Sequence, residues 1–257
     1  MGVEEMIAVG LAGVAAGGVN AVVGSGTLIS FPVLLAVGLP PVTATVSNAL
    51  GLVPGSLGAA WGYRAELAGQ GRRVRVLAGA AALGGLTGAA LLLALPPGAF
   101  EVIVPALVGL ALFLVACQPL IARWTARRRG AGKGPDAAGP VRPALGVGIA
   151  LASVYGGYFS AAQGVLYVAL MGLGSGGESL QRLNGVKNVL VAVVNGVAAV
   201  VFLFVAEFDW TAVALVAAGS AVGGRFGAGV GRRFRPAVLR GLIVVVGGVS
   251  LGLLVAR

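Results

Sequence analysis

The chain has 257 residues, 58% of them apolar and only 10% charged, where a soluble domain carries about a quarter charged residues. Too little charge remains to cover a water-facing surface, and long apolar runs recur from end to end, so the solvent is a lipid bilayer. The net charge of +10 does not signify nucleic-acid binding: the basic residues lie mostly in gaps between apolar segments, as the positive-inside rule expects, and no separate basic domain exists.

Other composition facts narrow the class further. Forty-five glycines suit membrane helices that approach closely. No histidine is present, which excludes a His-based metal site or catalytic base, and no cofactor is expected. Cys117 is the single cysteine and lies in an apolar run, so it reads as a packed thiol. The start, MGVEEM, has acids where a signal peptide has a basic n-region, and the first apolar run is expected to be retained.

Residues 6–23 form the first apolar run, barely long enough to span, and Gly24, Ser25 and Gly26 break it. Residues 27–37 are too few to cross as a helix and contain Pro32, so the two pieces read as a hairpin entering from one side. Residues 38–41 turn the chain, and 42–63 are long enough to span. A polar loop with four arginines follows at 64–75, then spans at 76–95 and 100–122. Residues 123–142 are a basic, Gly/Pro-rich linker, separating a first repeat (1–122) from a second (143–257).

The second half repeats the plan. An apolar run at 143–158 is followed by a small, polar break at 159–163, a short piece at 164–173 and a glycine-rich turn at 174–177. Spans are expected at 183–206, 210–230 and 237–256, with an acidic turn at 207–209 and a basic turn at 232–236. An offset of 136 places Gly38 on Gly174, Thr27 on Gln163 and Asn48 on Asn184. With a three-residue insertion, Gly84, Gly85 and Gly88 fall on Gly223, Gly224 and Gly227, which predicts close helix packing at both sites.

Charge sets the orientation. With loop 64–75 in the cytoplasm, three spans per half place 123–142 and 232–236 inside, and Glu4, Glu5, Glu101, Glu207 and Asp209 outside. An odd number of crossings makes the repeats inverted. The expected fold is thus an all-α polytopic membrane protein of two inverted-topology repeats, each a re-entrant or broken helix hairpin plus three transmembrane helices, an architecture of secondary transporters.

The short helix of each hairpin begins at the buried tip, with unpaired N–H groups and a positive dipole end. Ser25, Gly26 and Thr27 form the first tip, and Ser160 to Gln163 the second. Two such ends facing each other make an anion site; alternatively the small residues only allow tight turns. Asn48 and Asn184 line the site or tie each hairpin to the next helix. Ser47, Asn188 and Asn195 read as structural. Lys187, near the start of a span, contacts or admits the anion, or else snorkels to headgroups. Interfacial belts account for membrane tyrosines such as Tyr155 and Tyr167, whereas Tyr158, beside the second break, is a candidate contact. Almost no carboxylate falls inside a span, which disfavours proton-coupled or cation transport. An exported anion needs no coupling, because the membrane potential drives it outward by about 2.3 kcal/mol per charge per 100 mV.

These residues resemble the TauE/SafE family of sulfite-exporter-like membrane proteins. The resemblance rests on VVGSGTLISFPVLLAVGLPP, on ATVSNALGLVPGSLGAAWGYR, and on LQRLNGVKNVLVAVVNGVAAVVFLF with the later VGGRFGAGVGRRF, in that order along nearly the whole chain. It implies a bacterial inner-membrane transporter of sulfite, sulfonates or related sulfur anions, not an enzyme, whose partners are the small anion and the lipid bilayer. The tips depart from the family's glycine-richer hairpins at Ser25, Thr27, Ala161, Ala162 and Gln163. A non-transporting membrane scaffold is the rival reading, and the oligomeric state, a homodimer among the options, is left open.

Overall fold

Lipid offers no hydrogen-bond partners, so a chain within it must satisfy its backbone internally. In the computed structural model of this protein the described residues are 1–129, 141–174, 178–230, 241, 243–248 and 251–252, and they are helical nearly throughout, with no strand. Residues 175–177 of the turn expected at 174–177, the turn expected at 232–236 and most of the last expected span lie outside them.

The helices are α1 (Val3–Val22), α2 (Thr27–Ala36), α3 (Pro41–Gly62), α4 (Gly71–Ala94), α5 (Pro97–Arg129), α6 (Pro143–Tyr158), α7 (Gln163–Gly174), α8 (Leu180–Val205) and α9 (Trp210–Val230). Among the described residues, four stretches are long and apolar enough to cross a membrane: Val3–Val22, Gly71–Ala94, Gly98–Leu120 and Leu180–Val205. α3 and α9 have 22 and 21 residues but dilute their apolar content with Gly, Ser and Thr. These two pack against each other, while Leu57 and Trp61 of α3 and Trp210 and Phe226 of α9 stay exposed.

Several boundaries differ from the sequence reading: α7 takes in Gln163 and Gly174, and α8 starts at Leu180 rather than 183. The segment 64–75 is not all loop: Arg64–Leu67 is a 3-10 turn, and α4 starts at Gly71, so Arg72, Arg73 and Arg75 lie in its first turns. Residues 123–129, expected in the linker, continue α5. Arg and Ala are good helix formers, and no Gly or Pro interrupts 120–129.

Glycine sets how closely the helices approach. A Cβ added at Gly84 would lie 2.1 Å from the Ala150 carbonyl oxygen, and one at Gly88 2.1 Å from that of Val154. In the other half, a Cβ at Gly223 would lie 2.0 Å from the Val14 oxygen and one at Gly227 2.7 Å from Gly18 Cα. Thus α4 packs on α6 as α9 packs on α1, and each half clasps the hairpin of the other. Val14 and Gly18 match Ala150 and Val154 at the offset of 136, while the glycines match at 139. The predicted close approach of both glycine triplets is present.

Two apolar cores flank this arrangement. One joins α1, α2, α3 and α5 through residues such as Leu28, Phe31, Leu52, Phe100 and Val104; the other joins α4, α6, α7 and α8 through Leu77, Ile149, Tyr167, Leu183 and Leu190.

Candidate functional site

Both hairpins break at the same place. α1 ends at Val22, Gly24 takes φ +85°, and α2 starts at Thr27; α6 ends at Tyr158, Ser160 takes φ +63°, and α7 starts at Gln163. Glycine adopts that left-handed backbone freely. A serine there costs about 1–2 kcal/mol, a strain of the kind found at functional sites.

The breaks meet. The Gly164 N–H donates to the Gly24 carbonyl at 3.1 Å. A Cβ on Gly164 would lie 2.5 Å from Gly24 Cα, so only two glycines fit in this contact. The two tips therefore touch, and one of the free donors expected at the start of α7 is bound to the opposite hairpin.

A buried polar seam surrounds the contact. Asn48 on α3 holds the first tip: its Nδ2 donates to Thr27 Oγ1 at 3.1 Å and its Oδ1 accepts from Ser30 Oγ at 2.5 Å. Asn195 on α8 holds the second: its Oδ1 accepts from Ser160 Oγ at 3.3 Å and from Gln163 Nε2 at 3.4 Å. Ser56 joins the halves, accepting from Asn195 Nδ2 at 3.1 Å and from Asn20 Nδ2 at 3.3 Å. Among the described residues, three buried polar atoms beside the breaks have no hydrogen-bond partner: Ser25 Oγ, Gln163 Oε1 and Tyr158 Oη. Leaving such a group unsatisfied costs about 1–3 kcal/mol, so each calls for an explanation.

Most of the residues singled out in the sequence converge here. Ser25, Thr27, Asn48 and Gln163 are at most 1% exposed, and Ser160 and Tyr158 are 9% and 8% exposed. Gly26 caps α2 but is wedged against α1, where a Cβ would lie 2.3 Å from the Ala16 oxygen; it sets packing. Asn184 does not join the group. It is half-buried and makes no side-chain hydrogen bond among the described residues. α8 starts at Leu180 and α3 at Pro41, an offset of 139, so Lys187 rather than Asn184 lies eighth in its helix, as Asn48 does in α3.

Lys187 is 0% exposed, which rules out snorkelling. Its Nζ donates to the carbonyls of Asn20 at 3.1 Å and Ala21 at 3.0 Å, at the end of α1. Asn188 Nδ2 donates to the same Ala21 oxygen at 3.2 Å. Asn20, Ser30, Ser56, Asn188 and Asn195 were either missed as functional or read as structural. Asn188 and Asn195 are seven residues apart, two turns on one face of α8, and that spacing was the available signal.

The tyrosines do not form a belt. Tyr167 is 0% exposed, and its hydroxyl pairs with Ser153 Oγ at 2.7 Å. Tyr158 stacks obliquely on Phe100, ring centroids 5.8 Å apart. A second polar cluster lies away from the breaks, where Arg73 at the start of α4 pairs with Glu178 ahead of α8 and with Gln70, all three buried. Arg182 Nη2 donates to the Ala68 carbonyl nearby at 3.1 Å.

A family model described as Sulfite exporter TauE/SafE matches residues 9–254, nearly the whole chain. No curated protein and no solved structure gave a match.

Proposed function

Since the chain belongs to the TauE/SafE sulfite exporter family, we propose that this multi-pass membrane protein carries a small sulfur-containing anion, sulfite or an organosulfonate, outward across the bacterial inner membrane. The observation that carries the reading is the contact between the two helix breaks at Gly24 and Gly164, flanked in sequence by the buried Ser25 hydroxyl and by Gln163, whose amide oxygen lies against Gly156 of α6; neither oxygen has a hydrogen-bond partner among the described residues.

A broken helix in a carrier presents its N-terminal dipole end to an anion. In this reading the touching tips are a closed state. Parting them frees the Gly164 N–H from the Gly24 carbonyl. The start of α7, the Ser25 hydroxyl and the Gln163 amide then face an anion, while Asn48 and Asn195 hold the tips to α3 and α8. Alternating access follows if the two repeats are inverted and rock about this contact. The matched packing of α1 on α9 and α6 on α4 supports that relation. The basic segments 64–75, 123–142 and 232–236 are assigned to the cytoplasm.

The test is efflux from proteoliposomes loaded with sulfite, sulfoacetate, thiosulfate or sulfate under an imposed potential. Potential-driven efflux of a sulfur anion, absent from protein-free vesicles, is expected. No efflux of any of them would overturn the reading and leave the scaffold alternative.

A further inference from the structure

The last carbonyls of a helix have no donor within it and carry the negative end of its dipole. The break after α1 leaves the carbonyls of Asn20 and Ala21 in that condition deep inside the protein. They are met by a side chain from the other half of the chain: Lys187 Nζ lies 3.1 and 3.0 Å from the two oxygens.

Three features set this contact apart from ordinary helix capping. Lys187 is 0% exposed, and among the described residues its partners are carbonyls, with no carboxylate. Its stem lies against the start of α7, since a Cβ on Gly164 would lie 3.1 Å from Lys187 Cδ, so it borders the meeting point of the breaks. The matched position in the first half is Asn48, which does its packing without a charge, so the repeat does not demand a cation there. A charge inside a membrane segment is costly, and such residues mark ion or substrate paths. Broken helices in carriers use their C-terminal carbonyl ends to coordinate the coupling cation.

We propose that the Asn20 and Ala21 carbonyls form a cradle for a monovalent cation, and that the Lys187 ammonium fills it as a tethered counter-cation for the anion carried beside it. This rests on the transport reading of the same breaks. The protein then needs no free Na⁺ or K⁺, because the cation is part of the chain. Removing the side chain leaves a cradle that a small free cation can enter.

The experiment compares wild type with Lys187→Ala, using two readouts: thermal unfolding of the purified protein and sulfite efflux from proteoliposomes. Each is measured in ammonium, methylammonium, Na⁺ or choline chloride at equal ionic strength. Wild-type unfolding and efflux are expected to be the same in all four salts. Lys187→Ala is expected to lose efflux at least tenfold, to regain part of it in ammonium or methylammonium, and to unfold at higher temperature in those salts than in choline. Unfolding of Lys187→Ala that no small cation shifts, or efflux equal to that of a wild type that transports, would overturn the proposal. Should Lys187→Ala fail to fold, Lys187→Arg and Lys187→Met decide it. Arg retaining efflux that Met loses is the expected pattern, and equal efflux from the two would overturn it. If wild type moves no sulfur anion while Lys187→Ala is still stabilised by ammonium, the cradle stands and the anion reading falls.

Discussion

The Gly24–Gly164 contact makes a prediction whose parts separate cleanly. Gly24→Ala meets two penalties. Its φ of +85° is unfavourable for an L side chain, at about 1–2 kcal/mol. Its Cβ would lie 2.5 Å from Gly164 Cα, an overpacking of backbone on backbone that costs about 1–3 kcal/mol. Together they destabilise by about 2–5 kcal/mol. Gly164→Ala meets the contact penalty, with 2.5 Å to Gly24 Cα, and is not among the positive-φ residues; about 1–3 kcal/mol is expected. Gly38→Ala meets the conformational penalty alone, since its φ is +89° but nothing lies within 4 Å of an added Cβ; about 1–2 kcal/mol is expected. Reversible unfolding of the three variants in one detergent should rank Gly24→Ala as the most damaging. If Gly24→Ala were no worse than Gly38→Ala, the breaks would not be in contact in the folded protein, and the closed state would lose its basis.

Further predictions concern the polar groups and the glycine seams. Asn48→Ala removes the amide shared by Thr27 and Ser30 and should cost about 1–2 kcal/mol, whereas Asn184→Ala should stay within about 0.5 kcal/mol by the same unfolding assay. Glu178→Gln breaks the buried pair with Arg73 and should cost about 3–5 kcal/mol, and the double variant Arg73→Met with Glu178→Met should recover part of that. A single-to-double comparison showing no recovery would contradict the buried-pair account. Gly88→Leu forces α4 from α6, where a Cβ already lies 2.1 Å from the Val154 oxygen, and should yield aggregated protein on size-exclusion chromatography; Gly79→Leu on the open face of α4 should elute as wild type does.

The helix breaks were legible because their chemistry is local. Gly24, Ser25 and Gly26 together weaken a helix interior, and the lengths either side distinguish a short piece from a span. The glycine triplets were legible because their spacing carries the packing by itself. Asn184 does not join the polar seam that Asn48 joins, and helix register accounts for the difference. A three-residue insertion separates the offset of the hairpins from that of the later helices, and the sequence left open where between the second hairpin and Gly223 it falls. The start of α8 at Leu180 places it before that helix, which moves Lys187 into the position first given to Asn184. The role of Lys187 was out of reach for another reason. Its partners are backbone carbonyls of α1, 166 and 167 residues away in the chain, and a carbonyl leaves no mark in a sequence. Asn195 and Ser56 also bond across the halves, side chain to side chain, 139 residues apart. Tyr167 was read as interfacial from its residue type, but Ser153, one helix away, offers its hydroxyl a partner in the core.

The most direct test of transport through the meeting point of the breaks is sulfite efflux from proteoliposomes under an imposed inside-negative potential, for wild type and Gln163→Ala at matched protein content. Gln163 is fully buried at the start of α7, and its amide oxygen has no hydrogen-bond partner among the described residues. The account predicts efflux that rises with the potential in wild type and falls at least tenfold in a folded Gln163→Ala. Efflux of equal size and voltage dependence in the two proteins would contradict it, because the anion would then cross without passing the second tip.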